Sequence, residues 1–162
     1  MVDRREAGTA PTGQVTLRPI SVFPSGPFVR NEKLCFVLMP FKEELRETYD
    51  YIIRPAVEAM ALECQRADDI QRQGNVLAQV YQSLMEARVV IADLTGTNGN
   101  VLYELGLAHM IGHEAILLTQ AMDSVPFDLR HERHIVYSLA PAGVAKAKDS
   151  LMQTLKASLQ DT

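Results

Sequence analysis

The sequence is short of most features that announce a chemistry. It has two cysteines, Cys35 and Cys64. They fit no metal-ligand spacing and are too few for a disulfide framework, so they read as reduced thiols in strands, as expected of a cytoplasmic chain. No apolar run reaches the roughly 20 residues of a membrane span, and the opening "MVDRREAGTAPTGQ" has no apolar core of a secretory signal. The formal net charge of −4 argues against direct polynucleotide binding, which needs a basic face. It leaves room for a local basic pocket that takes one phosphate. There is no His/Cys cluster for zinc, no Walker loop and no G-x-S-x-G elbow, so neither a metal nor a cofactor is expected.

What is present is a core. At 162 residues the chain suggests one domain that hides roughly two-thirds of its unfolded surface. Apolar residues make up 47% and charged residues 22%, which places it among ordinary globular proteins. Residues 1–31 hold Pro11, Pro19, Pro24 and Pro27 with several glycines and read as a flexible N-terminal arm. Val22, Phe23 and Phe28 could still lay that arm on the core. The ordered domain is expected over 32–162.

Within it, strands alternate with helices. Leu34 to Met39 is a continuous apolar run closed by Pro40, the pattern of a strand buried on both faces. Leu45, Tyr49, Ile52, Ile53, Ala56 and Val57 then recur at helical spacing, with Pro55 as an interruption. "ALECQRADD" holds a second strand, "GNVLAQVYQSLMEAR" a helix, and "VVIADLT" a third strand. "NVLYELGLAHMIG" is a helix stopped at Gly112. "EAILLTQ" and "RHIVYSL" are strands four and five, and "AGVAKAKDSLMQTLKASLQ" is a terminal amphipathic helix. This order predicts an α/β three-layer sandwich with a five-stranded parallel sheet, flavodoxin-like, in the order 2-1-3-4-5.

Ligands in such sheets bind beyond the carboxyl ends of the strands, where the strand order switches. Strands one and three flank that point. They end in Met39-Pro40-Phe41 and Asp93-Leu94-Thr95. The turn "TGTNGN" feeds a helix start, with free amides and a positive dipole end, and Asn100 is the expected N-cap. Asp93, Thr95, Gly96, Asn98, Asn100 and Glu104 are therefore expected at one cleft, with Met39 and Phe41 from strand one. Arg66, Asp68 and Asp69 follow strand two on the same edge. "PFDLRHERH" supplies Asp128, Arg130, Arg133 and His134, but it leads into a strand and so approaches the opposite edge unless it folds back. Each signal has a structural reading beside the functional one. Glu104 suits the helix dipole, Asp93 suits turn amides, the asparagines suit ordinary turn chemistry, Arg66 with Asp68 suits a surface ion pair, and His109 and His113 suit surface or capping positions.

The motifs taken in order are more specific than any one of them. "FVLMPF", "RADDI", "VVIADLTGTNGNVLYELGLAHMIG" and "PFDLRHERHIVY" together resemble the nucleoside 2-deoxyribosyltransferase superfamily. The likeness is to its TIR-like bacterial branch, with the pattern "ADLTG-x-N-x-NV-x-YELG-x-A". Gly99 stands where many relatives have proline. The resemblance implies a flavodoxin-like fold and Glu104 as nucleophile or electrostatic stabiliser at an anomeric carbon. It also implies Asp93 as a residue that orients sugar or base, and a site completed in a homo-oligomer. The function so implied is cleavage of the N-glycosidic bond of a nucleoside, nucleotide or NAD-like molecule. Hydrolysis is favoured over base exchange, because transfer needs a second base site. The alternative is a non-catalytic nucleotide-binding TIR-like module for signalling or assembly, of the kind used in bacterial antiviral defence.

Overall fold

Alternation inside the apolar runs sets the layers. A computed structural model describes residues 26–70 and 75–160. In strand β1 (Leu34–Leu38), Leu34, Phe36 and Leu38 point into one apolar cluster, while Cys35, Val37 and the following Met39 point into another. A strand whose two faces are both covered needs apolar residues at every position, which is why the run shows no polar alternation. Strands β2 (Glu63–Arg66), β3 (Val89–Asp93), β4 (Ile116–Thr119) and β5 (His134–Val136) complete an all-parallel sheet in the order β2-β1-β3-β4-β5. The expected architecture and strand order are those of the protein.

The segment after β1 is less regular than its amphipathic pattern suggests. A 3-10 turn (Glu43–Leu45) leads into α1 (Arg46–Thr48), a π-helical stretch (Tyr49–Ile53) and α2 (Arg54–Ala59). Pro55 has no N–H to donate and crowds the carbonyl four residues back, and the wider π turn lies immediately upstream of it. Even so, Leu45, Tyr49, Ile52, Ile53, Ala56 and Val57 all reach the core. They share it with Ala147, Leu151 and Leu155 of helix α5 (Pro141–Gln160). The other face is covered by α3 (Val76–Glu86) and α4 (Gly99–Met110), through Val80, Leu84, Val101, Leu105 and Ala108.

Part of the expected arm is described and touches the domain. Phe28 packs edge-on against Tyr81 with ring centroids 5.9 Å apart, and the Asn31 N–H donates to the Glu86 carbonyl at 2.8 Å. Val22 and Phe23 lie outside the described residues. Cys35 is buried in β1 directly opposite the half-buried Cys64 of β2, and both are free thiols. Burial raises both, Cys64 to about 11, so they are poor nucleophiles at neutral pH. Among the described residues no helix is long and apolar enough to cross a membrane.

Candidate functional site

The carboxyl edge of the sheet carries two adjoining depressions. One, of about 500 Å³, opens beyond β1 and β2, where Phe41, Lys42, Tyr49, Arg54, Arg66 and Asp69 form much of its wall. The second, of about 280 Å³, opens beyond β3 and β4 among Lys42, Glu44, Thr95, Gly96 and Gln120. Lys42 belongs to both. A larger depression of about 550 Å³, bordered by His109, Glu132 and Arg133, sits where β4 and β5 begin. That is the wrong edge for ligand binding in an open α/β sheet; Arg133 lies there, whereas Arg130 donates to the Val125 and Asp123 carbonyls that follow the carboxyl end of β4.

Behind the second depression lies a buried polar network. Asp93 closes β3 and is fully buried. Its Oδ1 accepts from the Thr95 amide at 2.9 Å, and its Oδ2 accepts from the Tyr137 hydroxyl at 2.7 Å. The same hydroxyl accepts from Thr48 Oγ1 at 3.1 Å and from Gln120 Nε2 at 3.3 Å, and lies 3.3 Å from Thr95 Oγ1. Burial raises the Asp93 carboxyl, opposed by these hydrogen bonds, and raises the Tyr137 phenol to about 12. The network therefore ties the ends of β3, β4 and β5 to α1. It holds Thr95 at the rim, where its hydroxyl also accepts from the Gln120 amide at 3.0 Å.

The turn between β3 and α4 departs from expectation at its cap. The N-cap is Asn98, whose Oδ1 accepts from the amides of Asn100 at 3.0 Å and Val101 at 3.2 Å. Asn100 is an exposed residue already inside the helix. The extended backbone of Asn98 (φ −74°, ψ 124°) suits a cap, whereas Asn100 comes two residues later, at the second helical position. Gly96 takes φ +74°, which glycine adopts without a Cβ penalty.

Glu104 is the sixth residue of α4, beyond the first turn over which a helix dipole acts. The reading of Glu104 as a partner of the helix dipole is therefore corrected. Glu104 is half-buried, makes no hydrogen bond or ion pair among the described residues, and burial pushes its carboxyl up to about 7. His109, on the other flank of α4, comes within 3.9 Å of Glu132 just before β5. By the helical repeat of 3.6 residues, Glu104 thus lies on the flank turned away from β5. It is not among the residues that line either depression.

The remaining expected site residues divide. Thr95 and Gly96 line the second depression, and Phe41, 61% exposed, and Arg66 line the first. Met39 is buried in the core instead. The Asp68 side chain lies outside the described residues. The Arg66 guanidinium stacks 4.9 Å from the Tyr49 ring centroid, and Arg54 lies 5.6 Å from it. His113 Nε2 meets the Leu84 carbonyl at 2.7 Å, a structural tie between α4 and α3. Sequence reasoning missed Lys42, Tyr49, Gln120 and Tyr137 as parts of this edge. Lys42 directly follows the "MPF" stretch and so had a positional signal. Tyr137 meets Asp93 from 44 residues away and had none. Among the described residues no group of three or more His, Cys, Asp or Glu could hold a metal ion.

No family model matches the chain, and no curated protein does. Among solved structures, the chain is similar to the TIR domain of the Toll-related receptor TRR-2 from Hydra magnipapillata. The TM-score is 0.60 at 13% identity, with 78% of this chain and 97% of that one covered. At that identity the likeness is one of fold: the protein has a TIR-like α/β fold.

Proposed function

We propose that the protein cleaves the N-glycosidic bond of a nucleotide or NAD-like molecule, with Glu104 as the reactive carboxylate. The observation that carries this reading is Glu104 itself, a half-buried acid without a partner among the described residues, on the helix that follows β3 at the strand-order switch. A buried carboxylate that no internal cation offsets costs stability, and such groups concentrate where chemistry needs them. As the C1′–N bond breaks, its electron pair leaves with the base and positive charge grows on the sugar. The ionised form of Glu104 stabilises that charge or captures it, and the growing charge favours that form. Water supplies the hydroxyl to C1′, its proton passes to solvent, and the departing base takes up a proton. Hydrolysis is favoured over base exchange, because transfer needs a second base site.

In this scheme Asp93 is a positioning residue. With both oxygens engaged and no exposure, it acts through Thr95 and Tyr137 rather than on substrate. The TIR-like fold and unreactive thiols suit a cytoplasmic chain that works as a homo-oligomer.

A second reading rests on a different observation. The groove that gathers the cations does not include Glu104, which is what a nucleotide-binding signalling or assembly module would show. Incubation with nucleosides, nucleotides and NAD, followed by chromatography, separates the two. Free base that disappears with Glu104→Gln supports the enzyme, and tight binding without release supports the module.

A further inference from the structure

Lys42 is placed unlike the other cations of the carboxyl edge. Arg46 lies 3.5 Å from Glu43 and 3.7 Å from Asp50, and Arg54 lies 2.9 Å from Asp50. Arg66 stacks on Tyr49. Lys42 makes no ion pair among the described residues, and it walls both depressions. Its Nζ reaches across from β1 to the turn after β3, to 3.6 Å from the point where a Cβ on Gly96 would stand. The Gly96 N–H is likewise unbonded among the described residues, while the neighbouring Thr95 and Thr97 amides donate to Asp93 and to the Leu94 carbonyl.

Among the described residues the charge of Lys42 is met by no carboxylate. The first depression is bordered by four cations (Lys42, Arg46, Arg54, Arg66) against three carboxylates (Glu43, Asp50, Asp69). Glu44 adds one more at the second. Over the two depressions the count is balanced, four cations to four carboxylates, in a chain of net charge −4; Glu43 and Asp50 are already met by Arg46 and Arg54, which leaves the Lys42 ammonium for an external anion. A free ammonium beside an unbonded backbone amide offers the charge-assisted contacts that a phosphate oxygen takes.

We infer that Lys42 and the Gly96 backbone hold a phosphate of the ligand where the two depressions meet, so that the ligand is a phosphorylated nucleotide and not a free nucleoside. This rests on the nucleotide reading above, but not on catalysis. A phosphate at Lys42 leaves the polar first depression, with Phe41 and Tyr49 on its wall, for one part of the ligand, and the Thr95–Gln120 side for the other.

The test is an equilibrium one on the Glu104→Gln variant, so that a failure of the catalytic scheme does not disturb it. Four nucleosides of different base and their 5′-monophosphates are titrated by calorimetry into this protein with Lys42 intact, with Lys42→Met and with Lys42→Arg. Thermal midpoints confirm that each variant is folded. At least one monophosphate is expected to bind roughly tenfold or more tightly than its nucleoside, with Lys42→Met removing that difference and Lys42→Arg keeping most of it. Equal affinity for nucleoside and monophosphate, an unchanged difference in Lys42→Met, or no binding of any monophosphate overturns the inference.

Discussion

The hydroxyl of Tyr137, one residue past β5, donates to Oδ2 of Asp93 at the end of β3, 2.7 Å away. Strand β4 lies between them, so this bond spans the end of the sheet on which the candidate site sits. Tyr137→Phe removes it and leaves a buried carboxylate with one partner fewer, at a cost of about 1.5–3 kcal/mol. Urea denaturation is expected to show a lower midpoint with an unchanged slope. Thr48→Val, which removes one neutral bond to the same hydroxyl, should cost about 1 kcal/mol. Equal midpoints for Tyr137→Phe and the unaltered protein would mean that the network does not hold the edge together.

The cap at the head of α4 makes a prediction at two asparagines. Asn98 accepts two amide hydrogen bonds and Asn100 contributes no side-chain bond to the cap. Asn98→Ala should therefore cost about 1 kcal/mol, and Asn100→Ala should be close to neutral. Thermal melts of the two variants decide between the positions. The reverse order would restore Asn100 as the cap.

Glu104 links stability and activity to pH with opposite signs. Burial raises its carboxyl to about 7, against about 4.3 in an unfolded chain. Below about pH 4 the group is protonated in both states. As pH rises from there to 7 the unfolded chain gives up the proton and the folded one keeps it, so stability falls, then levels off. Glu104→Gln removes that slope. The variant should match the parent near pH 4 and exceed it at about pH 8 by about 1–2 kcal/mol, after allowance for the solvent that reaches the group. Base release by the parent should rise through about pH 7 as the carboxylate ionises. Parallel stability curves for the two proteins would mean that Glu104 titrates normally.

Gly143 lies in the first turn of α5, where it packs on the segment that carries Tyr137. A Cβ there would stand 2.7 Å from the Ser138 carbonyl oxygen and closer still to its hydroxyl. Gly143→Ala is expected to destabilise by about 1–3 kcal/mol, because backbone has to shift to admit the methyl. Gly106→Ala, with open space around the added carbon, should instead gain up to about 1 kcal/mol from helix propensity. Chemical denaturation of both variants checks the contrast, which would fail if Gly143→Ala were neutral.

Local pattern carried the fold. Continuous apolar runs such as Leu34 to Met39, separated by segments of helical period, specify buried parallel strands and crossover helices, and the parallel order follows from right-handed connections. The π stretch at Tyr49–Ile53 was visible only as a proline in a helical pattern. At the site, residues set by chain position were legible. Thr95, Gly96 and Phe41 follow strand ends, Arg66 closes β2, and all four line the edge. Groups set by tertiary packing were not. Met39 continues the alternation of β1 into the core. Asp93 is claimed by a distant tyrosine, and Lys42 reaches its neighbour only because β1 and β3 are adjacent. The raised carboxyl of Glu104 follows from burial, which helix position alone does not report.

Glu104 is proposed to break an N-glycosidic bond. The direct measurement is chromatographic detection of free base after purified protein, of known oligomeric state, is incubated with nucleotides, nucleosides and NAD. The expected result is base released from at least one phosphorylated substrate, abolished by Glu104→Gln while ligand binding and the thermal midpoint persist. Release that continues in Glu104→Gln, or ligand bound tightly with none cleaved in every assembly state, would contradict it.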